Sequence, residues 1–411
     1  MATVRPFPAL RPAPERAADV AAVPYDVVTT AEARELASGK PWSFLHVSRA
    51  EIDLPDATDP YSDAVYGKAA ENFARLEREA PMVVEEGRHL YVYRMRMGDH
   101  VQTGIAGVCS LAEYDAGVVR KHERTRRDKE DDRTRHMVAL RAQTGPVFLT
   151  YRDVDEIDSR VERATREAPL YDFIAPDRIR HTLWRLTRDE SDVIEQAFTR
   201  VPLLYIADGH HRAASAARAR EELRRSAPAD PGSDPFDFFL AVAFPARQVR
   251  ILAYNRIVKD LGGRSPEKFL EDARRRLEVF DGAPAEPARK GEVSFYLAGK
   301  WHGLRLRARK FVASASPTAT LDAHLLQEEV LEPLLGIRDI RTDKRIDFVG
   351  GIRGTSELQK LVDSGQAAVA FSLHPVAIEE LMAVADASEI MPPKSTWFEP
   401  KLRDGLLIHE I

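Results

Sequence analysis

The sequence predicts a mixed α/β protein of the α+β class. Runs with strand-like alternation and runs with helical spacing both recur along the chain, but no regular βαβ period can be traced. No internal repeat or low-complexity stretch breaks the pattern. One stretch organises the centre. An apolar run over residues 201–207 reads as a buried strand, Asp208-Gly209 breaks it, and an alanine-rich helical run follows to about Arg225.

The elements follow in order. Residues 1–24 are proline-rich and read as an extended lead-in ending in a turn at Pro24-Tyr25-Asp26. Thr29 or Thr30 caps a short helix that closes near Gly39. Residues 42–47 alternate and read as a strand. Residues 61–80 form a helix with Ala64, Ala69, Phe73 and Leu76 broadly on one face. Strands over 90–93 and 101–111 flank a turn at Gly98-Asp99. Residues 126–142 are charge-dense and helical, and most of those charges read as a solvated face. Next come a strand over 146–151, a helix over 154–168, a strand over 178–186 and a helix over 192–198.

Beyond the central stretch, residues 226–236 form a loop and the clearest break in composition. Strands over 238–244 and 249–257 follow, then a helix over 266–279 started by Ser265. A hairpin spans 293–297 and 302–306, and a helix spans 321–335. Phe348, Val349 and the glycines after them end a strand. Helices over 357–363 and 376–385 flank a strand over 367–371. From Met391 the tail is irregular, then strand-like.

Composition narrows the function classes. The 411 residues are 44% hydrophobic and 30% charged, with a net charge of −5, as in ordinary soluble proteins with ample core. That balance offers no basic field for nucleic acid. The single cysteine, Cys109, lies in an apolar run and reads as a small buried hydrophobe. It excludes an internal disulfide framework and a multi-cysteine metal site. No signal peptide is readable and no apolar run approaches a membrane span. The expected location is cytoplasmic.

The chemistry concentrates where His210, His211 and Arg212 open the helix after Asp208-Gly209. Unsatisfied backbone N–H groups and the positive end of the helix dipole suit an anion there. Arg212 adds a planar fork for phosphate oxygens. The alternative is a capped helix, with Asp208 as N-cap and the histidines wet. His210 and His211 point about 100° apart and do not readily share one metal; phosphate contact from one and packing of the other fits better. Metal ligands stay unassigned. Glu123, with Lys121, His122 and Arg124 around it, is either a surface carboxylate or a base near a hydroxyl. Asp208 either caps the helix or orients a hydroxyl or a metal-bound water.

Asp208-Gly209-His210-His211-Arg212 before an alanine-rich helix resembles the phosphate-binding box of the ParB/sulfiredoxin superfamily. The upstream pair His122-Glu123 resembles the His-Glu of the free-serine kinases in that superfamily. Over its full length the chain resembles a bacterial family of unknown function related to those kinases. The further marks are Pro24-Tyr25-Asp26-Val27, Lys121-His122-Glu123-Arg124-Thr125 and Lys394-Ser395-Thr396-Trp397-Phe398-Glu399-Pro400-Lys401. The resemblance implies a ParB/sulfiredoxin-like nucleotide-binding core over 105–225, with an insertion at about 152–198. An N-terminal α/β region (1–104) and a C-terminal α/β region (237–411) would elaborate it.

The resemblance implies a small-molecule kinase, a phosphotransferase with an alcohol group as acceptor. Free L-serine would give O-phosphoserine, with ATP or ADP as donor and Mg2+ as helper. Glu123 and Asp208 would be the catalytic pair; His122, Gly209, His210, His211 and Arg212 would hold the phosphates. A nucleotide-binding regulator with little turnover, and a scaffold with a vestigial cradle, are the rival readings. No H-E-x-x-H motif and no Walker A motif is present; Gly350-Gly351-Ile352-Arg353-Gly354 reads as a tight turn. The box lacks the cysteine of sulfiredoxin, and no helix-turn-helix supports a DNA clamp. The expected partners are a nucleotide and a small molecule, with no nucleic acid and no membrane.

Overall fold

A computed structural model describes residues 1–226, 232–307 and 316–411. The chain divides into two compact units, Met1–Val249 with Pro400–Ile411, and Arg250–Glu399. Three regions were expected, 1–104, 105–225 and 237–411. Instead, strands from the first two share one sheet, and the residues from Pro400 on belong to that same unit.

The first unit is built on an eight-stranded mixed sheet. Its strands are β1 (Tyr91–Met97), β2 (His100–Ser110), β3 (Val119–Arg120), β4 (Val147–Tyr151), β5 (Tyr171–Ile174), β6 (Arg180–Arg185), β7 (Leu204–Asp208) and β8 (Phe238–Pro245). They lie in the order β3-β7-β4-β8-β2-β1-β6-β5. Two pairings are parallel, β7 with β3 and β8 with β4. Strands β4 and β8 are buried end to end, which is why they read as continuous apolar runs without alternation. Helices α1 (Thr30–Ala37), α2 (Asp63–Glu79), α3 (Arg127–Leu140), α4 (Asp155–Ala164), α5 (Arg188–Phe198) and α6 (His210–Ser226) complete the unit. One cluster, with Val92, Ile105, Leu149, Phe198, Ile206 and Phe239, packs the sheet; a second, with Phe44, Val47, Phe73 and Leu140, packs α1, α2 and α3. Cys109 is buried in the first of these, as expected.

The start of α1 is capped as expected: Thr29 and Glu32 form a capping box, and Gly39 with φ of 69° follows the helix. Residues 42–47, expected as a strand, instead form a turn and the short helix Leu45–Ser48. Their alternation buries Phe44 edge-on against Phe73 of α2, 6.3 Å away, so the pattern came from packing on a helix. Strand β5 and the short pair Leu10–Pro12 with Met82–Val84 were not foreseen.

The second unit holds a six-stranded antiparallel sheet. Its strands are β9 (Tyr254–Val258), β10 (Glu278–Asp281), β11 (Glu292–Leu297), β12 (Lys300–Arg305), β13 (Ile346–Gly350) and β14 (Val369–Leu373), ordered β10-β12-β11-β14-β9-β13. The single strand expected over 249–257 is two: Arg250–Leu252 pairs with Trp397–Glu399, and β9 joins the sheet. The helix expected over 266–279 ends at Arg276, with Val279 in β10. The helix expected over 321–335 is broken into Asp322–Leu326, a π-helical Gln327–Leu331 and Glu332–Leu335. Pro333 lacks an N–H, which accounts for the break. Gly350-Gly351 is a packing turn: a Cβ at Gly350 would strike the Trp397 ring at 2.7 Å. Of the loop expected over 226–236, residues 227–231 lie outside the described residues; Ser226 ends α6 and Pro235–Asp237 forms a short 3-10 helix. Among the described residues, no helix is long and apolar enough to cross a membrane.

Gly104 in β2 offers a test of this packing. A Cβ there would lie 2.6 Å from the Ala243 carbonyl oxygen and 2.7 Å from the Phe244 ring. Backbone cannot give way cheaply, so Gly104→Ala should cost about 1–3 kcal/mol of stability. Urea unfolding should show a lower midpoint with the slope unchanged; an unaltered midpoint would show that β2 and β8 can part.

Candidate functional site

The site is set by where strands end. β3 and β7 run parallel as neighbours, with Leu204 opposite Val119 and Tyr205 opposite Arg120. Their following segments therefore leave the sheet at the same end, which places His122-Glu123 beside Asp208-Gly209. The pairing of β7 with β4 shifts register between Ile206 and Asp208, and a bulge there re-aims the strand end. Gly209 then takes φ of 93°, a conformation that L side chains resist. Helix α6 begins immediately after, so the amides of its first turn face this end of the sheet.

Each expected residue can be placed. Asp208 accepts from the Gly209 N–H at 2.9 Å and from Lys401 Nζ at 3.0 Å. It therefore caps the turn itself rather than the helix interior. Burial alone would raise its pKa, but Lys401 and Arg212 outweigh that and hold the carboxyl well below the usual carboxylate range. His122 and His210 are buried, with rings 4.4 Å apart and nearly perpendicular at 87°. Burial pushes His122 down to about 4, against the opposing pull of Asp208. Burial, with His122 nearby, lowers His210 well below the ordinary imidazole range. Both are neutral at pH 7.

The His122 N–H donates to His210 Nε2 at 3.4 Å, which leaves the proton of neutral His210 on Nδ1. That Nδ1 lies 4.0 Å from Glu123 Oε2, and Glu123 keeps 40% of its side chain exposed. His211 sits apart. Its Nε2 accepts from the Arg126 N–H at 3.0 Å, tying α6 to the start of α3.

Arg212 lies beneath the turn with 5% of its surface exposed. Its NH1 donates to the Pro146 carbonyl oxygen, and its NH2 stands 3.7 Å from Asp26 Oδ1. Its Nε and NH2 are buried with no hydrogen-bond acceptor; His122 Nδ1 is also buried without a partner, and with the ring bonded to the Ile206 carbonyl through its other nitrogen it carries the lone pair. Beside the guanidinium is a cavity of about 20 Å³ lined by Tyr25, Ser48, Arg133, His136, Arg212 and Asp404, which is room for about one water. Asp404 is 3% exposed. Burial pushes its carboxyl up to about 7, in spite of Arg212 and with the help of Asp26.

The sequence did not assign Asp26, Asp404 or Lys401 to this site. Tyr25-Asp26 and Lys401 stood in recognisable motifs, which was the available signal; Asp404 carried none. Lys394, in the same tail motif as Lys401, belongs to the second unit, with its Nζ 5.5 Å over the Tyr254 ring. Among the described residues no group of three or more His, Cys, Asp or Glu side chains suited to a metal gathers. The Mg2+ expected with the nucleotide thus finds no protein-built cage among them.

Fold and site together define a mixed α/β protein with a polar strand–turn–helix site. The chain belongs to the family described as "Protein of unknown function (DUF1015)", whose model matches residues 4–324. No curated protein matches it significantly. It is similar to a solved conserved hypothetical protein from Pyrococcus furiosus, at 15% identity and TM-score 0.35, covering 73% of this chain and 94% of that one. It is similar to SbnI with C-terminal truncation from Staphylococcus aureus, at 11% identity and TM-score 0.36, covering 72% and 82%. It is also similar to a free serine kinase in complex with AMP, at 14% identity and TM-score 0.35, covering 71% and 86%. At such scores these likenesses carry no functional argument.

Asp404 makes the site's stability depend on pH. Its folded value of about 7 exceeds the ordinary aspartate value of about 3.9. Its contribution is full below about pH 4 and is lost as pH rises through 7. His122, His136 and His409, pushed down by burial to about 4, act in the opposite sense, adding stability as pH rises towards about 6.5. Asp404→Asn removes only the first component. Urea unfolding from pH 5 to 8 should show the variant gaining on the wild type as pH rises. A difference that does not change with pH would mean that Asp404 is ionised throughout.

Proposed function

We propose that this chain is a phosphotransferase that holds a nucleotide's phosphates at the start of α6 and passes a phosphoryl group to a small-molecule hydroxyl. One observation carries the reading. Two buried donor positions, Arg212 Nε and Arg212 NH2, lack acceptors at the mouth of a helix N-terminus. Leaving such groups unsatisfied costs free energy, and phosphate oxygens are the acceptors a planar guanidinium fits best. The positive end of the α6 dipole and the amides around Gly209 favour the same charge. Gly209, His210, Arg212 and His122 form the phosphate side of the site, while His211, turned to the Arg126 N–H, holds α6 against the start of α3.

Glu123 supplies the other half. Its carboxylate is open to solvent on one side and faces the Nδ1–H of neutral His210 on the other. A hydroxyl placed between Glu123 and the phosphates would give up its proton to Glu123 as the P–O bond to the acceptor forms and the bond to the leaving nucleotide breaks. Asp208, held ionised by Lys401 and Arg212, orients the turn. The resemblance of His122-Glu123 and the Asp208–Arg212 box to the free-serine kinases supports free L-serine as acceptor, O-phosphoserine as product, and ATP or ADP with Mg2+ as donor.

The test is incubation with ATP or ADP, magnesium and L-serine, followed by phosphorus NMR for a phosphomonoester. Glu123→Gln keeps the shape and removes the base, so turnover should fall about 10²–10⁴-fold while nucleotide affinity changes little. Turnover within a few-fold of wild type would demote Glu123 to a surface carboxylate. Nucleotide binding with no phosphomonoester from any hydroxy acid would replace the kinase with a nucleotide-binding regulator.

A further inference from the structure

The segment Pro400–Ile411 belongs to the first unit, and several of its residues are fixed there. Arg403 is buried, donates from Nε to His181 Nε2 at 3.1 Å and pairs with Asp177. Tyr93 and His181 Nδ1 are hydrogen-bonded at 2.9 Å behind it. Asp404 exchanges backbone hydrogen bonds with Ala22, and the Gly405 N–H donates to the Thr144 carbonyl at 3.0 Å. The Asp404 carboxyl rests where a Cβ on Gly145 would be, 2.5 Å away. His409–Glu410 pairs with Ala142–Gln143. These contacts fix the backbone that carries Lys401. Its side chain is 12% exposed, and its ammonium meets Asp208 Oδ2 at 3.0 Å.

We propose that Lys401 is a phosphate-binding residue of this site, kept in place by Asp208 until a polyphosphate arrives. The inference rests on the nucleotide reading above and adds to it a residue nearly two hundred positions downstream. Three features support it. Asp208 uses its other oxygen on the Gly209 N–H, so the Lys401 ammonium lies alongside the amides that open α6. An ammonium is a compact charge with three donors, able to hold a carboxylate and a phosphate oxygen together. And an unpaired Asp208 carboxylate beside incoming phosphate would repel it; Lys401 removes that repulsion before it adds any attraction.

The last point shapes the experiment. Lys401→Met alone would weaken binding under either role, because it uncovers Asp208. The informative pair is Asp208→Asn against Asp208→Asn/Lys401→Met, since in both the carboxylate is gone and no neutraliser is needed. Calorimetry with ADP, inorganic pyrophosphate and adenosine reads the outcome. If Lys401 contacts phosphate, the double variant should bind ADP and pyrophosphate at least about tenfold more weakly than Asp208→Asn, roughly one charge-assisted contact. Adenosine binding should be the same in both. Thermal unfolding checks each fold, and Lys401→Gln in the Asp208→Asn background serves if the methionine variant does not fold. Affinities within twofold would overturn the proposal and leave the nucleotide reading standing. A wild type that binds neither ADP nor pyrophosphate would overturn the nucleotide reading itself, and this inference with it.

Discussion

A guanidinium cannot be buried alone, and the first unit is arranged around one that is buried. Arg212 has 5% of its surface exposed, and taking such a charge out of water costs on the order of several kcal/mol unless partners answer it. The answers come from distant parts of the chain. Asp26 approaches from the lead-in, Pro146 offers its carbonyl from the start of β4, and Asp404 lies across the adjoining cavity from the tail. With Asp208, three carboxylates answer one cation, and Asp404 titrates near neutrality because burial works against its charge. The arrangement is nearly but not fully satisfied. Arg212 Nε and NH2 have no acceptor, and that residue of unmet hydrogen bonding at a helix mouth gives the site its direction.

Topology does the rest of the positioning. β3 is only two residues long, yet its parallel pairing with β7 decides where His122 and Glu123 go. Had it paired antiparallel, the loop after Arg120 would leave from the opposite end of the strands. The bulge before Asp208 and the left-handed Gly209 then turn the chain sharply enough to start α6 beside that loop. Two neutral histidines fill the gap between the segments, one donating its backbone N–H to the ring of the other. Neutrality is itself a consequence of burial: charged imidazoles packed 4.4 Å apart would repel each other and Lys121.

Much of this was legible in the sequence because it is local. The strand–Asp-Gly–helix turn, the cap at Thr29, the β1–β2 hairpin around Gly98-Asp99 and the start of α3 all depend on residues within one or two turns of each other. Errors arose where tertiary context overrode a local pattern. The alternation at 42–47 came from side chains packing on α2, and the apolar run at 249–257 was shared between two sheets. In the site, the box could be read because its residues are consecutive. The ring of counter-charges could not. Asp26, Asp404 and Lys401 reach Arg212 and Asp208 across gaps in sequence that no periodicity spans, and Asp404 looks like any acidic residue near a chain turn.

The long gap has a further physical consequence. The second unit occupies residues 250–399, between two parts of the first. Helix α6 and the strands around it can form from segments made early. The groups that oppose the charges of Asp208 and Arg212 cannot all be present until residues 401–404 have been made. Before then Asp208 lacks its lysine, and Arg212 lacks one of its three neighbouring carboxylates. Closing so long a loop costs conformational entropy that grows only slowly with its length. The delay bears more on the rate of assembly than on final stability. The half-built site is thus the least satisfied part of the unit while the chain is incomplete, and the tail's return both pins its backbone and balances its charge.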